Sequence, residues 1–241
     1  MMSLNHKTFP QVVRTQAKWK IRAYSQALVP LLILQIFMAF FNYRGSGMSA
    51  TIMNEMSVES HFYSLDVFLM TTCIWAFITA FLIQTKGYQQ TDLSTITNRA
   101  TGSVANSMVL IFYSFIATIV IYMSLYILVA AVQLIKGIYM FPEGELFNSM
   151  HFFVSYFMIL LAASSGYFIS SLFNLSKVIG GVFVLGFGYL FFSVLNEQLL
   201  TVMKFYFEAG YSLFLVKALI TAAILFVLPV VFLNRKEVVR G

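Results

Sequence analysis

The sequence predicts an all-α polytopic membrane protein. Three observations carry this: six apolar runs, a charged fraction of only 10% against 60% hydrophobic residues, and Lys and Arg concentrated in alternate connecting segments. A water-facing surface needs about 25% charged residues, so most of this chain must face lipid or itself. The runs are continuously apolar and do not alternate, which favours helices over a barrel.

Each run is judged by length. A spanning helix takes about 20 apolar residues, within a range of about 17–25. The runs are 27–43, 62–83, 104–134, 152–173, 178–195 and 213–233. The third has 31 residues and must tilt or project beyond the bilayer. The first and fifth are short. Together they read as one transmembrane domain over 1–241.

Orientation follows from the basic residues. With the N-terminus inside, eleven of the fifteen Lys and Arg lie in inner segments. Arg44, Lys136, Lys204 and Lys217 lie in outer ones. The acidic residues distribute the other way, with only Asp92 and Glu237 inside. The positive-inside rule then puts both termini in the cytoplasm. The net charge of +6 faces anionic headgroups, and no nucleic-acid partner is needed. Five basic residues precede the first run and no small-residue cleavage site follows it, so a cleaved signal peptide is not expected. Cys73 is the only cysteine, which excludes an intrachain disulfide.

Two segments outside the runs have helical amphipathicity. In 7–25, Thr8 is an N-cap and Pro10 fits a first turn. Phe9, Val12, Val13, Ala17, Trp19, Ala23 and Tyr24 gather on one side of a wheel, with Arg14, Lys18 and Arg22 on the other. Gln16 and Lys20 interrupt the apolar side, and Lys20 is expected to snorkel. This describes an interfacial helix, although a plain basic anchor has the same charges. In 196–212, Glu197, Thr201, Lys204 and Glu208 form one polar stripe on an otherwise apolar helix. That segment is expected to dip into the outer leaflet as a re-entrant helix or pack over the spans; a surface loop is the bland alternative.

The inner loop 84–103 contains a third helix signal. Thr91 or Asp92 can cap it, Leu93, Ile96 and Ala100 share a face, and Gly102 can end it. A short capped helix with a small apolar face is shaped for a protein partner; a solvated loop is the bland alternative.

Chemistry is sparse. No GxxxxGK[ST] occurs. Gly180, Gly181, Gly186 and Gly188 read as close helix packing. Ala163-Ser164-Ser165-Gly166 has a serine but no span supplies a histidine base, since His6, His61 and His151 fall outside the runs. Neither a catalytic pair nor a metal site is expected. No ionisable group falls at mid-bilayer and no repeat is visible, whereas ion-coupled carriers usually have such features. A transporter of this kind draws its energy from another chain.

The layout resembles the permease subunit of type 2 ABC transporters. The resemblance rests on the inner helix leading into the first span (FPQVVRTQAKWKIRAYSQALVPLLILQIFMAFF) and on two spans flanking the capped inner segment (TTCIWAFITAFLIQTKGYQQTDLSTITNRATGSVANSMVLIFYS). A tight hairpin at 174–177 and an outer re-entrant segment complete it. It covers almost the whole chain but lacks the large extracellular domains of the family. Small permeases of Gram-positive exporters of antimicrobial or amphipathic peptides, phenol-soluble modulin exporters among them, share that trait. The resemblance implies a partner permease chain, identical or not, and a cytoplasmic ABC ATPase that brings ATP and Mg. It also implies coupling through Asp92, Leu93, Thr95, Ile96 and Arg99, together with the interfacial helix (Phe9, Val13, Lys18, Trp19, Arg22). A non-transporting scaffold or sensor and an intramembrane enzyme are the competing classes. The enzyme lacks a base.

Overall fold

The computed structural model describes residues 8–45, 47–53, 56–85, 88, 99–137, 148–193, 201, 204–208 and 210–238. The helices are α1 (Phe9–Ala23), α2 (Leu28–Phe41), α3 (Asp66–Ile83), α4 (Arg99–Lys136), α5 (Ser149–Leu175), α6 (Lys177–Ser193) and α7 (Tyr211–Val238). Five helical stretches are long and apolar enough to cross a membrane: Ser25–Arg44, Asp66–Ile83, Ala100–Lys136, Ser149–Leu175 and Tyr211–Val231. They match the first four runs and the last. The fifth run forms α6, whose 17 residues make it a shorter apolar helix.

One element departs from the all-α expectation. Strands β1 (Gly47–Met53) and β2 (Met56–Phe62) pair antiparallel from Gly47↔Phe62 to Met53↔Met56. Thr51, Ile52 and Val58 favour extended backbone, and pairing satisfies amides that a bare loop leaves to water. The hairpin takes Phe62 from the second run, so α3 starts at Asp66.

α5 lies at the centre. It packs most extensively on α3 and α7, and also on α4 and α6. One apolar core, including Leu31, Phe68, Trp75, Tyr113, Ile159 and Tyr167, runs between α2, α3, α4, α5 and α7. α6 is different: Val178, Val182 and Leu185 are each at least 65% exposed, and Gly180 is buried. One end of the bundle carries α1 and the other carries the hairpin.

α1 and α2 are separated by a 3₁₀ turn, Ser25–Ala27. A helix end leaves carbonyls without partners. Here Tyr113 donates to Ile21 O at 2.9 Å, Ser25 Oγ to Arg22 O at 2.9 Å, and Trp75 Nε1 to Ala27 O at 2.9 Å. The elbow is therefore fixed by side chains of α3 and α4. At the start of α1, Thr8 N donates to Gln11 Oε1 at 3.1 Å, and Thr8 is the N-cap as expected.

Candidate functional site

The densest buried polar chemistry lies at the α1 end, on both sides of the segment linking α3 to α4. α3 closes on Gln84, which is 1% exposed. Asn174 Nδ2 donates to Gln84 O at 2.7 Å and to Gln84 Oε1 at 3.2 Å. One turn earlier, Ser170 Oγ donates to Phe81 O at 2.8 Å. One turn earlier again, Gly166 faces Phe77, where an added Cβ would stand 2.3 Å from Phe77 O. Positions 166, 170 and 174 repeat every four residues and so form one ridge of α5. Small or hydrogen-bonding side chains on that ridge allow α3 to approach at backbone distance, as small-residue seams do in membrane helices.

The α4 side is held twice. Tyr167 OH lies 2.7 Å from Ser103 Oγ and donates to Ser103 O at 3.2 Å. Gln16 Nε2 of α1 donates to Thr101 Oγ1 at 3.4 Å. Lys20 Nζ donates to Asn106 Oδ1 at 2.5 Å and to Gly102 O at 3.4 Å. Val13 and Ala17 pack on Ala105 between these bonds. Residue 84 is thus tied to α5, and residues 101–106 to α5 and α1.

Several sequence expectations change here. Lys20 does not snorkel; it is 3% exposed, because an amide oxygen and a backbone carbonyl replace its water. Gly102 does not end a helix, since α4 runs from Arg99 through it. Helical bonding continues through a glycine at a cost of about 1 kcal/mol, and the α1 contact supports this turn. Arg99 and Ala100 are the first residues of α4 as described. Asp92, Leu93, Thr95 and Ile96 lie outside the described residues. The single apolar face assigned to α1 is two faces. Val13, Ala17 and Tyr24 are buried, whereas Phe9 and Trp19 are 54% and 40% exposed. Lys18 and Arg22 are exposed.

The glycines of α6 also read differently. Gly180 packs on Phe173, but Gly181 and Gly186 meet nothing within 4 Å. The close packing read there holds at Gly180, and Gly166 makes a closer approach, to backbone of another helix. His151 lies in the first turn of α5, a membrane-crossing candidate, and packs edge-on against Tyr211 at 5.5 Å. Ser164 and Ser165 both donate to Leu161 O. Among the described residues, no group of three His, Cys, Asp or Glu could hold a metal.

The hairpin end has a second, looser cluster. The segment 204–207 is helical and folds onto α7. Tyr206 OH lies 3.0 Å from Thr221 Oγ1, and the Phe207 and Phe214 rings stack at 4.9 Å. Lys217 Nζ donates to Phe205 O and sits 4.3 Å from the centre of its ring. Thr221 is ten residues into α7, about 15 Å along its axis, so the segment reaches well down the helix. Thr201, Lys204 and Glu208 are exposed, as are Phe205 and Phe207; Glu197 lies outside the described residues. At this end Tyr63 donates to Tyr43 O, and burial, then the Tyr43 phenol, raise its pKa.

Sequence reasoning missed Gln16, Asn106, Tyr167 and Asn174, and also the pair Gln35–Thr72, where Nε2 donates to Oγ1 at 2.8 Å between α2 and α3. The available signal was spacing: 13, 16, 17, 20 and 24 follow the period of one helix face. No family model matches the sequence, and neither a curated protein nor a solved structure matches it.

Proposed function

We propose that the chain is the permease subunit of an ATP-driven exporter in the bacterial plasma membrane. In this reading α6 supplies the fifth of six spans, both termini are cytoplasmic, and the α1 end faces the cytoplasm. The observation that carries it is the double anchorage of the segment between α3 and α4. Its first edge is bonded to α5 through Gln84–Asn174, its second to α5 and α1 through Ser103–Tyr167 and Asn106–Lys20. A partner pressing on residues 91–98 would therefore move three helices together. Such a linkage suits a cytoplasmic ABC ATPase carrying ATP and Mg, working on two permease chains. The substrate class is a hydrophobic or amphipathic molecule, such as a cytolytic peptide or lipid-like compound. The segment around Thr201, Lys204 and Glu208 would present its polar stripe at the exit.

Two experiments test this. Leu93→Asp with Ile96→Asp removes the apolar face of the docking segment; burying such side chains contributes about 1.5–3 kcal/mol each. Co-purification of the ATPase should fall about ten-fold or more, with insertion preserved. Normal recruitment and stimulation of the ATPase by this variant would refute the coupling role. Orientation is tested in a Cys73→Ser background. New cysteines at Ser57 and Ser149 should label from outside intact cells, and those at Thr97 and Ser176 should not.

A further inference from the structure

Among the described residues β1 and β2 form a sheet of two strands, and the extensive contacts of each strand are with the other. A lone two-stranded hairpin is marginal in water; a third strand or a helix across it is needed for stability. The strands keep one register from Gly47↔Phe62 to Met53↔Met56, with no bulge. Only two residues separate Met53 from Met56, so that pair is hydrogen-bonded, and bonded pairs alternate from it: 51 with 58, 49 with 60 and 47 with 62. The backbone N–H and C=O groups of Met48, Ala50 and Ile52 therefore turn to the free edge of β1, and those of Ser57, Glu59 and His61 to the free edge of β2. Segment 45–62 contains no Lys and no Pro, the residues that guard such edges.

We infer that β1 pairs antiparallel with β1 of a second copy of this chain, giving a four-stranded sheet in the order β2–β1–β1–β2. The register selects both this edge and an identical occupant. Full overlap of β1 with its copy centres on Ala50 and sets Met48 opposite Ile52 and Ser49 opposite Thr51, apolar with apolar and hydroxyl with hydroxyl. β1 has no charged residue, so its own copy brings no repulsion. Full overlap of β2 with its copy centres on Glu59 and sets two carboxylates directly opposite, where like charges destabilise. Pairing β1 with a copy's β2 is head to tail and leaves edges open to further copies, whereas β1 on β1 closes after two. Two copies in one bilayer also hold their hairpins at the same end, so the edges meet at one height. A two-fold axis normal to the bilayer relates antiparallel strands only when they lie across it, so the joined hairpins lie along the membrane surface. The exporter reading asks for two permease chains without fixing whether they are identical or where they meet; this inference rests on the hairpin alone.

The test uses single cysteines in the full-length chain carrying Cys73→Ser, in the membranes of the expressing cell. In the joined sheet the two copies of residue 50 have Cα atoms about 5.5 Å apart, within disulfide reach. The two copies of residue 59 are three strand spacings apart, about 14 Å, and out of reach. Mild oxidation should therefore convert A50C to a covalent dimer at least about ten-fold faster than E59C. M48C and I52C, expressed together as differently tagged chains, should cross-link to each other more than to themselves. Adding A50P to both chains removes an edge amide and spares the bonds within the hairpin. It should abolish that mixed product while leaving the yield and thermal midpoint of the monomer in detergent unchanged. Folded A50C that stays monomeric would overturn the pairing. Equal rates at A50C and E59C would mark random collision and overturn it too, and faster cross-linking at E59C would move the contact to β2. The readout involves neither ATP hydrolysis nor transport, so a failed sheet leaves the exporter reading standing, and an ATPase that does not co-purify leaves the sheet standing.

Discussion

The two ends of the bundle are built from different forces. At the α1 end, Gln84, Ser103, Asn106, Tyr167 and Ser170 are at most 7% exposed and are joined by hydrogen bonds between helices. At the hairpin end, the hydrogen bonds are fewer (Tyr206–Thr221, Tyr63–Tyr43 and Lys217–Phe205) and ring contacts stand beside them: His151 on Tyr211, Phe207 on Phe214, Lys136 over Tyr43 and Lys217 over Phe205. Hydrogen bonds fix distance and direction, and a buried polar atom that loses its partner is costly. Ring contacts tolerate sliding. The α1 end is therefore the more tightly specified of the two.

Substitutions should grade accordingly. Gly166→Val should have the largest effect, because its Cβ meets the Phe77 backbone at 2.3 Å and α3 must move away. Overpacking costs about 1–3 kcal/mol where side chains can yield, and a backbone obstacle should exceed that. Thermal unfolding in mild detergent should show a collapsed midpoint or no folded protein. Tyr167→Phe comes next. It strips the hydroxyl from buried Ser103 and should lower stability by about 1–2 kcal/mol in the same assay. Phe207→Ala removes one stacked ring at the looser end and should cost about 1 kcal/mol, with faster proteolysis confined to the 201–210 segment. Gly181→Ala should change stability least, by about 1 kcal/mol or less, since nothing lies within 4 Å of its Cβ. If Gly181→Ala proved as damaging as Gly166→Val, a neighbour outside this chain would have to occupy that face.

Much of the helical layout was legible because long apolar runs have few alternatives. The ends of α4 lie within five residues of the third run, and those of α5 within three of the fourth. The hairpin was not legible. Its strands mix Ser, Thr, Met and Glu without a clean alternation, and strand preference depends on what the strand meets. The polar clamp was hidden for another reason. Gln16 meets Thr101 and Lys20 meets Asn106 across more than eighty residues of sequence. Hydropathy scored Lys20 as a flaw in an apolar face, yet the face itself is mixed, and its polar members have matching partners on α4. Splitting α1 into a buried and an exposed apolar side likewise needed the neighbouring helix. Gly166 and Gly181 look alike in sequence; only the approach of Phe77 separates them.

The length of α4 has a mechanical side. Its 38 residues make a rod about 57 Å long, nearly twice the ~30 Å hydrocarbon thickness of a bilayer. A rod of that length converts small rotations into large displacements. Tilting it by about 5° about one end carries the other end about 5 Å, roughly one helical pitch. Lys20 and Asn106 grip this rod near one tip, and Lys136 rests on Tyr43 at the opposite tip. With a pivot close to the gripped tip, a sub-ångström adjustment there would be magnified several-fold at the far one. The α1 contacts would then act on the short arm of a lever that trades force for displacement.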